Sequence, residues 1–252
     1  MSISQRGSRS WSVSLTVVTA LVLIVFTTHI GYVGLRSYQK MIHGEALASK
    51  TQCYSRVVTN ASGTILILGD SLAFGVGASS PQKSLAGQLS QRFPDYSVIN
   101  KSKVGATTKE LAASISREVD DRYDSAFIVI GGNDIARYGI DLDQTERGLR
   151  SIAEIAARRV DRVYLITTGD FSNVSILPWF LRPYYSDRSR RVRDAARTID
   201  ASLDNLDYVD LFDVEPLRYA QMEAKDGFHL NDLGIRQLLD AALARRASAT
   251  SD

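Results

Sequence analysis

The sequence predicts an α/β fold in which a flavodoxin-like parallel sheet of about five strands lies between two helical layers, preceded by one N-terminal transmembrane helix. Short apolar segments typical of buried strands alternate with longer stretches of helical periodicity. This alternation is typical of parallel sheets whose right-handed crossovers cover both faces. The predicted strands are Thr64 to Leu68, Ser97 to Ile99, Ala126 to Ile130, Val163 to Ile166 and Tyr208 to Leu211.

Three of the intervening stretches carry apolar residues at the spacing of amphipathic helices. They are Leu111 to Val119, Leu149 to Ala157 and Ile235 to Leu243. With 252 residues, 44% of them hydrophobic and 23% charged, the chain is long enough for one globular domain and an additional segment. We therefore predict a single domain over residues 62–248.

Charge and cysteine content argue against two classes of function. The 30 Lys and Arg residues against 28 Asp and Glu leave a net charge of +2, too small to indicate a nucleic-acid partner. The lone cysteine, Cys53, cannot form an internal disulfide, and no Cys and His cluster has zinc-ligand spacing. Neither nucleic-acid binding nor a metal site is predicted.

The segment before the domain is apolar. Residues 13–35 contain no Asp, Glu, Lys or Arg, and a helix of this length spans a bilayer core about 30 Å thick. We predict a tail over residues 1–11, an uncleaved transmembrane anchor over 12–35 and a juxtamembrane linker over 36–61. Large C-terminal domains are translocated largely regardless of flanking charges, which favours an extracytoplasmic domain.

Two questions about this segment stay open in the sequence. A cleaved signal peptide is the alternative to an anchor, because Arg6 and Arg9 precede the apolar core, although no small-x-small cleavage site follows it. The linker is compatible with either a juxtamembrane helix or a loose stalk.

The first predicted strand ends in Gly69-Asp70-Ser71-Leu72. Open α/β sheets bind ligands beyond the carboxyl ends of their strands, so Ser71 stands where a substrate is expected. Here the chain resembles the SGNH/GDSL hydrolase superfamily, whose first signature block is a Gly-Asp-Ser-Leu turn after the first core strand. The resemblance implies that Ser71 is a nucleophile, whereas we interpret Asp70 as a structural turn residue.

Two further segments match the next blocks of this superfamily, in order and each after a predicted strand. In the first, Gly105 takes the position of a glycine whose backbone N–H joins the oxyanion hole, and Ser102 replaces a second glycine that the family usually has. In the second, Gly131-Gly132-Asn133-Asp134 matches a Gly-x-Asn-Asp block whose Asn amide donates to the oxyanion. Taken alone, this match fits a simple Asx turn equally well.

The last match is Asp226-Gly227-Phe228-His229, resembling the family's Asp-x-x-His block. A serine hydroxyl needs a base within hydrogen-bond reach, and that base needs an orienting acceptor. His29 lies in the predicted anchor and His43 in the linker, which leaves His229 as the base. The resemblance implies a triad of Ser71, His229 and Asp226. It also implies an oxyanion hole from the N–H groups of Ser71 and Gly105 and the Asn133 side chain.

The resemblance covers roughly residues 63–245 and implies the SGNH hydrolase fold and a serine esterase without a metal or organic cofactor. The expected substrate is a carboxylic ester or thioester of a small molecule, a saccharide or a lipid. An O-acyltransferase acting on a saccharide, and a lysophospholipase or thioesterase acting on lipids, are alternatives that use the same site. A catalytically silent binding module is disfavoured because every catalytic position is filled.

One insertion, residues 171–193, lies outside these blocks and allows two interpretations. Its aromatic and basic residues could form a lid or acyl pocket that also contacts anionic headgroups. Alternatively, the aromatic residues cap the core and the arginines form a solvated helix face. The residues concerned are Trp179, Phe180, Tyr184, Tyr185, Arg188, Arg190, Arg191 and Arg193.

Overall fold

The computed structural model of the chain describes residues 8–119, 122–212 and 216–249. Within these ranges the sheet has five strands, β1 (Gly63–Gly69), β2 (Tyr96–Asn100), β3 (Tyr123–Val129), β4 (Val160–Ile166) and β5 (Leu206–Val209). All five are parallel, and they lie in the order β2-β1-β3-β4-β5. This is the flavodoxin-like order, and the predicted fold class is confirmed.

The strand β1 occupies an inner position because its side chains are apolar on both faces. Leu66 pairs with Ile99 of β2 on one side and with Ala126 of β3 on the other. Ile67 and Leu68 are fully buried. Burying each such side chain contributes about 1.5 to 3 kcal/mol, so this strand fixes the position of the turn that follows it.

Helices cover both faces of the sheet. The helices of the domain are α2 (Ser71–Phe74), α3 (Leu85–Arg92), α4 (Thr108–Glu118), α5 (Gly132–Ala136), α6 (Leu142–Ala157), α7 (Arg182–Asp200), α8 (Pro216–Met222) and α9 (Asp232–Ala249). The three predicted apolar stripes lie on α4, α6 and α9, and each turns buried residues towards the sheet. Short 3₁₀ helices occur at Pro81–Lys83, Phe171–Asn173 and Trp179–Leu181.

One long helix, α1 (Ser8–Lys50), precedes the domain. Its apolar part is solvent-exposed, and the hydroxyls of Thr19, Thr27 and Thr28 each donate to a carbonyl of the same helix, at 2.8 to 2.9 Å from the oxygen four residues earlier. By length and composition it satisfies the criteria for a membrane span, which a signal sequence also satisfies.

The helix α1 continues well into the predicted linker, which is therefore helical as far as Lys50. Beyond it, an extended segment runs along the edge of the sheet. Arg56 and Val98 exchange two backbone hydrogen bonds, of 2.8 and 2.7 Å, in an antiparallel bridge. The connection to β1 is thus attached to the domain rather than a loose stalk.

The insertion 171–193 divides into parts with different environments. Phe171 and Tyr185 contribute to the core, with ring centroids 5.4 Å apart. Arg188 is buried and donates to the carbonyls of Asp134, Ile135 and Ile140. Arg191 and Arg193 form ion pairs with carboxylates of other elements, Asp143 and Glu146 for the first and Asp210 for the second. Arg188 and the half-buried Arg193 therefore stabilise the domain, whereas Arg190 and Arg191 lie on the exposed face of the helix.

Candidate active site

The turn after β1 presents Ser71 at the carboxyl edge of the sheet. Gly69 has a φ of 135°, and a Cβ there would collide with the Val129 carbonyl oxygen, so only glycine allows this close strand approach. The Asp70 N–H donates to the same oxygen at 3.0 Å. An Asp70 carboxylate oxygen accepts from the Leu72 N–H at 3.0 Å and caps α2, whose first residue is Ser71.

A second loop, between α8 and α9, holds Asp226 and His229. One Asp226 oxygen, Oδ1, accepts from the N–H groups of Phe228 and His229, each at 3.1 Å. The other, Oδ2, lies 2.6 Å from His229 Nδ1. Asp226 is only 1% exposed. Burial by itself raises a carboxyl pKa, but the hydrogen bonds from the His229 ring and from the two backbone N–H groups hold the pKa of Asp226 below its ordinary value.

The two loops meet directly. His229 Nε2 lies 2.8 Å from Ser71 Oγ. Gly77, with a φ of 99°, makes the approach possible, because a Cβ there would strike the Leu230 carbonyl oxygen. The Ser79 N–H and Oγ both donate to the Asp232 carboxylate, at 2.8 and 2.6 Å, and fix the loops to each other. Ser71, His229 and Asp226 therefore form one continuous hydrogen-bonded chain.

The other two predicted oxyanion residues, Gly105 and Asn133, follow β2 and β3. The Asn133 amide donates to the Ala106 carbonyl at 3.0 Å, and this bond joins the two strand ends. Gly105 adopts a φ of 77°, which favours glycine. Lys103 donates its N–H to the Gly69 carbonyl at 2.9 Å, which ties the Gly105 segment to the Ser71 turn.

Sequence reasoning gave no role to several residues that hold this side of the site. The buried Asp134 carboxylate accepts from the N–H and hydroxyl of Thr108, at 3.0 and 2.7 Å, and so joins the strand ends of β2 and β3 a second time. The Arg137 guanidinium donates to the Gly105 carbonyl at 2.7 Å. Ser102 donates its N–H and hydroxyl to the Asn100 side chain, which gives the turn a substitute for the missing glycine. The position of Asp134 in the Gly-x-Asn-Asp block could have indicated its role from the sequence. No sequence feature pointed to the role of Arg137.

Asp70 differs electrostatically from Asp226. It is buried against the same site, but its hydrogen bonds come from backbone N–H groups and none comes from an imidazole. Burial is the largest influence and raises the pKa of Asp70 to about 6. Its structural position, as the cap of α2, agrees with the interpretation made from the sequence.

A cavity of about 560 Å³ opens at this edge of the sheet. Ser71, Asn133 and His229 line it, whereas Gly105 does not. It extends past the ends of β3 and β4 to Leu211, which follows β5. Because β1 and β5 are separated by three strand spacings, the cavity reaches about 14 Å across the sheet. Its apolar lining includes Val129, Ile130, Phe171, Leu211, Met222, Phe228 and Leu238.

Solved structures with a similar fold are esterases and related proteins. TesA has a TM-score of 0.56 at 22% identity, with 72% of this chain and 96% of that chain covered. Axe2, an acetylxylan esterase from Geobacillus stearothermophilus, has a TM-score of 0.52 at 22% identity, with 74% of this chain and 94% of that chain covered. EstA, a psychrotrophic esterase from Pseudoalteromonas sp., has a TM-score of 0.56 at 17% identity, with 76% of this chain and 100% of that chain covered. At these identities the likeness concerns the fold.

The family model of GDSL-like lipases and acylhydrolases matches residues 67–237, about two thirds of the chain. No curated protein matches the chain in sequence. The matched range includes the Gly-Asp-Ser-Leu turn, the Gly-x-Asn-Asp block and the Asp-x-x-His loop. The chain therefore belongs to the GDSL-like lipase/acylhydrolase family and is a carboxylic ester hydrolase.

Proposed function

We propose that Ser71, His229 and Asp226 form the catalytic triad of this esterase, with Ser71 as the nucleophile. The observation that carries the proposal is the hydrogen-bonded chain with distances of 2.8 Å from Ser71 Oγ to His229 Nε2 and 2.6 Å from His229 Nδ1 to Asp226 Oδ2. Both distances lie within the reach that proton transfer between these groups requires.

In this proposal Ser71 Oγ attacks the carbonyl carbon of the ester while His229 Nε2 accepts the hydroxyl proton. The tetrahedral intermediate collapses when the bond to the leaving alcohol breaks and the imidazolium gives that alcohol its proton. A water molecule repeats the sequence on the acyl-enzyme and releases the carboxylic acid. Asp226 keeps the Nδ1 proton in place and offsets the imidazolium charge, which its lowered pKa allows throughout the neutral range.

The developing oxyanion needs donors that are already oriented. Asn133 lines the cavity beside Ser71 and directs one amide hydrogen to the Ala106 carbonyl. An amide group has a second hydrogen, which we assign to the oxyanion. The Ser71 N–H completes the proposed hole together with the Gly105 N–H. Gly105 lies outside the cavity lining, but its turn is tied to the Ser71 turn by the Lys103 N–H.

The cavity supports a substrate with an apolar acyl group longer than acetyl. An acetyl group would leave most of a 560 Å³ cavity unfilled, whereas a longer chain would contact its apolar lining. Each buried methylene contributes about 0.8 kcal/mol, a factor of about four in binding. We therefore place the esters and thioesters of lipids ahead of acetylated saccharides as natural substrates.

Hydrolysis of p-nitrophenyl esters of increasing chain length by the full-length protein tests this assignment. We expect kcat/KM to rise from acetate to octanoate, and Ala241→Phe, which narrows the cavity, to shift the preference to shorter esters. Ala244→Phe, on the exposed side of the same helix, is the matched control. A preference for acetate in the unmodified protein would contradict the lipid assignment. Acyl transfer to an added saccharide in preference to water would favour the acyltransferase alternative.

We also propose that the outer part of α1 is a membrane anchor and that the catalytic domain lies outside the cytoplasm. The helix from Leu15 to Leu35 is exposed at every position except Val33 and is about 31 Å long, which matches the hydrocarbon core of a bilayer. Protease added to intact cells should cleave an extracytoplasmic domain, and protection of the domain would reverse the orientation.

A cluster of exposed aromatic residues supports the anchor. Trp179 is 60% and Phe180 47% exposed, and Tyr184 is also exposed. This surface begins three residues after Ile176, whose carbonyl oxygen lies 2.7 Å from Ser37 Oγ, close to where α1 would leave the bilayer. Aromatic side chains are enriched at the membrane–water interface, so the cluster lies where an interfacial contact is expected.

Tryptophan fluorescence tests this contact because the chain has only two tryptophans. In a Trp11→Phe variant reconstituted into liposomes, Trp179 is the sole reporter. We expect lipids labelled with a quencher near the headgroup to quench its emission. Emission that such lipids leave unquenched would show that the cluster faces away from the bilayer.

A further inference from the structure

The inner part of α1, which lies outside the range matched by the family model, packs on the catalytic domain. Its partly buried residues recur at intervals of three and four, so they share one face of the helix. Two of them make direct contacts: Ser37 Oγ donates to the Ile176 carbonyl at 2.7 Å, and Lys40 Nζ donates to Ser175 Oγ at 2.6 Å. The residues of this face are Val33, Ser37, Lys40, Gly44, Leu47 and Ala48.

Gly44 faces the carboxylate of Asp226. A Cβ at Gly44 would lie 3.3 Å from Asp226 Oδ2, the oxygen that is also hydrogen-bonded to His229 Nδ1. A separation this short is tighter than most van der Waals contacts, so any larger side chain at Gly44 must displace the carboxylate or the helix. The backbone of α1 thus contributes to the burial of an acid that is only 1% exposed.

Lys40, one turn earlier, lies against the same loop. A Cβ on Gly227 would come within 2.6 Å of Lys40 Nζ, which places the ammonium directly beside the residue that follows Asp226. The charged groups around Lys40 are Glu223, Arg36 and Asp226. Burial is the largest influence on the ammonium and lowers the pKa of Lys40, while Glu223 opposes this shift.

We propose that residues 37–50 of α1 are a positioning element of the active site, in which the absence of a side chain at Gly44 lets the helix pack over the Asp226 carboxylate without displacing it from His229, and Lys40 secures the loop that carries both. The proposal rests on the proposed role of Asp226. It assigns a catalytic purpose to a segment that also continues into the apolar span. A truncation that begins at residue 60 removes this element, whereas one that begins at residue 36 keeps it.

Alanine substitution of two glycines in the same helix tests the role of Gly44. Alanine is the better helix former at both positions, and Gly34 has open space where Gly44 has Asp226. In full-length protein we expect Gly44→Ala to lower kcat about tenfold through misplacement of the acid, without lowering the melting temperature. Gly34→Ala should leave kcat within about twofold of the unsubstituted enzyme.

Two outcomes would overturn the proposal: an unchanged kcat in Gly44→Ala, or a loss of kcat that appears only together with a lower melting temperature. Asp226→Asn distinguishes this failure from failure of the triad. If Asp226→Asn is inactive while Gly44→Ala is fully active, only the positioning role is wrong. If Asp226→Asn is fully active, the triad itself is wrong.

The pH profile of Lys40→Met gives a second readout that a purely structural role would not move. The ammonium is a positive charge near the His229–Asp226 pair, and the carboxylates of Asp226 and Asp70 are the negative charges that face the imidazole. Removal of the ammonium therefore favours protonation of this pair and should move the acid limb of kcat/KM upward by a few tenths of a pH unit. Lys50→Met, at the exposed end of the same helix, should leave the limb in place. An unmoved limb in Lys40→Met would contradict the proposal.

Discussion

The two sides of the active site are built in different ways. The acid–base side is one continuous loop, residues 223–231. In this loop Asp226 accepts hydrogen bonds from two backbone N–H groups and from the imidazole of His229, three residues later. The nucleophile side is assembled from the ends of three strands, joined by bonds such as Asn133 to Ala106 and Asp134 to Thr108. Local sequence therefore specifies the first side, whereas the register of the sheet specifies the second.

Each side also contains a buried carboxylate, and their electrostatics are opposite. Burial raises the pKa of Asp70 to about 6, whereas the hydrogen bonds of Asp226 overcome the same effect and lower its pKa. Burial alone does not produce a carboxylate that can stabilise an imidazolium. The hydrogen-bond donors around the carboxylate decide its role.

Asp226→Asn should have the largest effect among substitutions of the two carboxylates and of Asn133. An amide stabilises the wrong imidazole tautomer and carries no charge, so we expect kcat to fall by about 10⁴ while the fold is retained. Because the pKa of Asp226 is lowered, its carboxylate stays ionised until the pH falls below the ordinary carboxyl range. The imidazole must be unprotonated to act as the base, so kcat/KM should fall as the pH is lowered. Activity that stays flat down to pH 4 would contradict the assignment of His229 as the base.

Asn133→Ala tests the side assembled from separate strands. Loss of one oxyanion donor typically costs about 10² to 10³ in kcat, and KM should change little because the donor acts in the transition state. The substitution also removes the bond to the Ala106 carbonyl. Asn133→Asp retains the size of the side chain but not the donor, so it should lose a similar amount of kcat. A change confined to KM in both variants would assign Asn133 to substrate binding instead.

Asp70→Asn should have the smallest effect on kcat, within a few-fold of the unsubstituted enzyme, because asparagine is an equally good cap for α2. Its effect should appear in stability. Folding raises the pKa of this carboxyl group, so the unfolded chain releases its proton at a lower pH than the folded protein does. The free energy of unfolding should therefore fall by roughly 2 kcal/mol as the pH increases from about 4 to about 6. The variant should lack this loss when melting temperatures are compared between pH 4 and pH 8. A steep fall in kcat would instead give Asp70 a catalytic role.

Most of the fold and the continuous loop could be predicted from the sequence. The strand β1 is apolar on both faces, so its local pattern predicts it. Asp226 and His229 lie within four consecutive residues, so the resemblance to the family's Asp-x-x-His block was enough to identify them. The contacts of Arg188 and Gly44 could not be predicted. Each depends on which distant element lies opposite, and an arginine or a glycine in a polar stretch has the same local pattern whether it is exposed or buried.

Covalent labelling of the nucleophile tests the central claim most directly. A fluorophosphonate reacts with a serine only when a neighbouring base activates its hydroxyl. Mass spectrometry of the full-length protein should find one adduct, on Ser71, which is absent in Ser71→Ala and forms much more slowly in Asp226→Asn. An adduct on another residue, or undiminished labelling and hydrolysis in folded Ser71→Ala, would contradict the assignment of Ser71 as the nucleophile activated by His229 and Asp226.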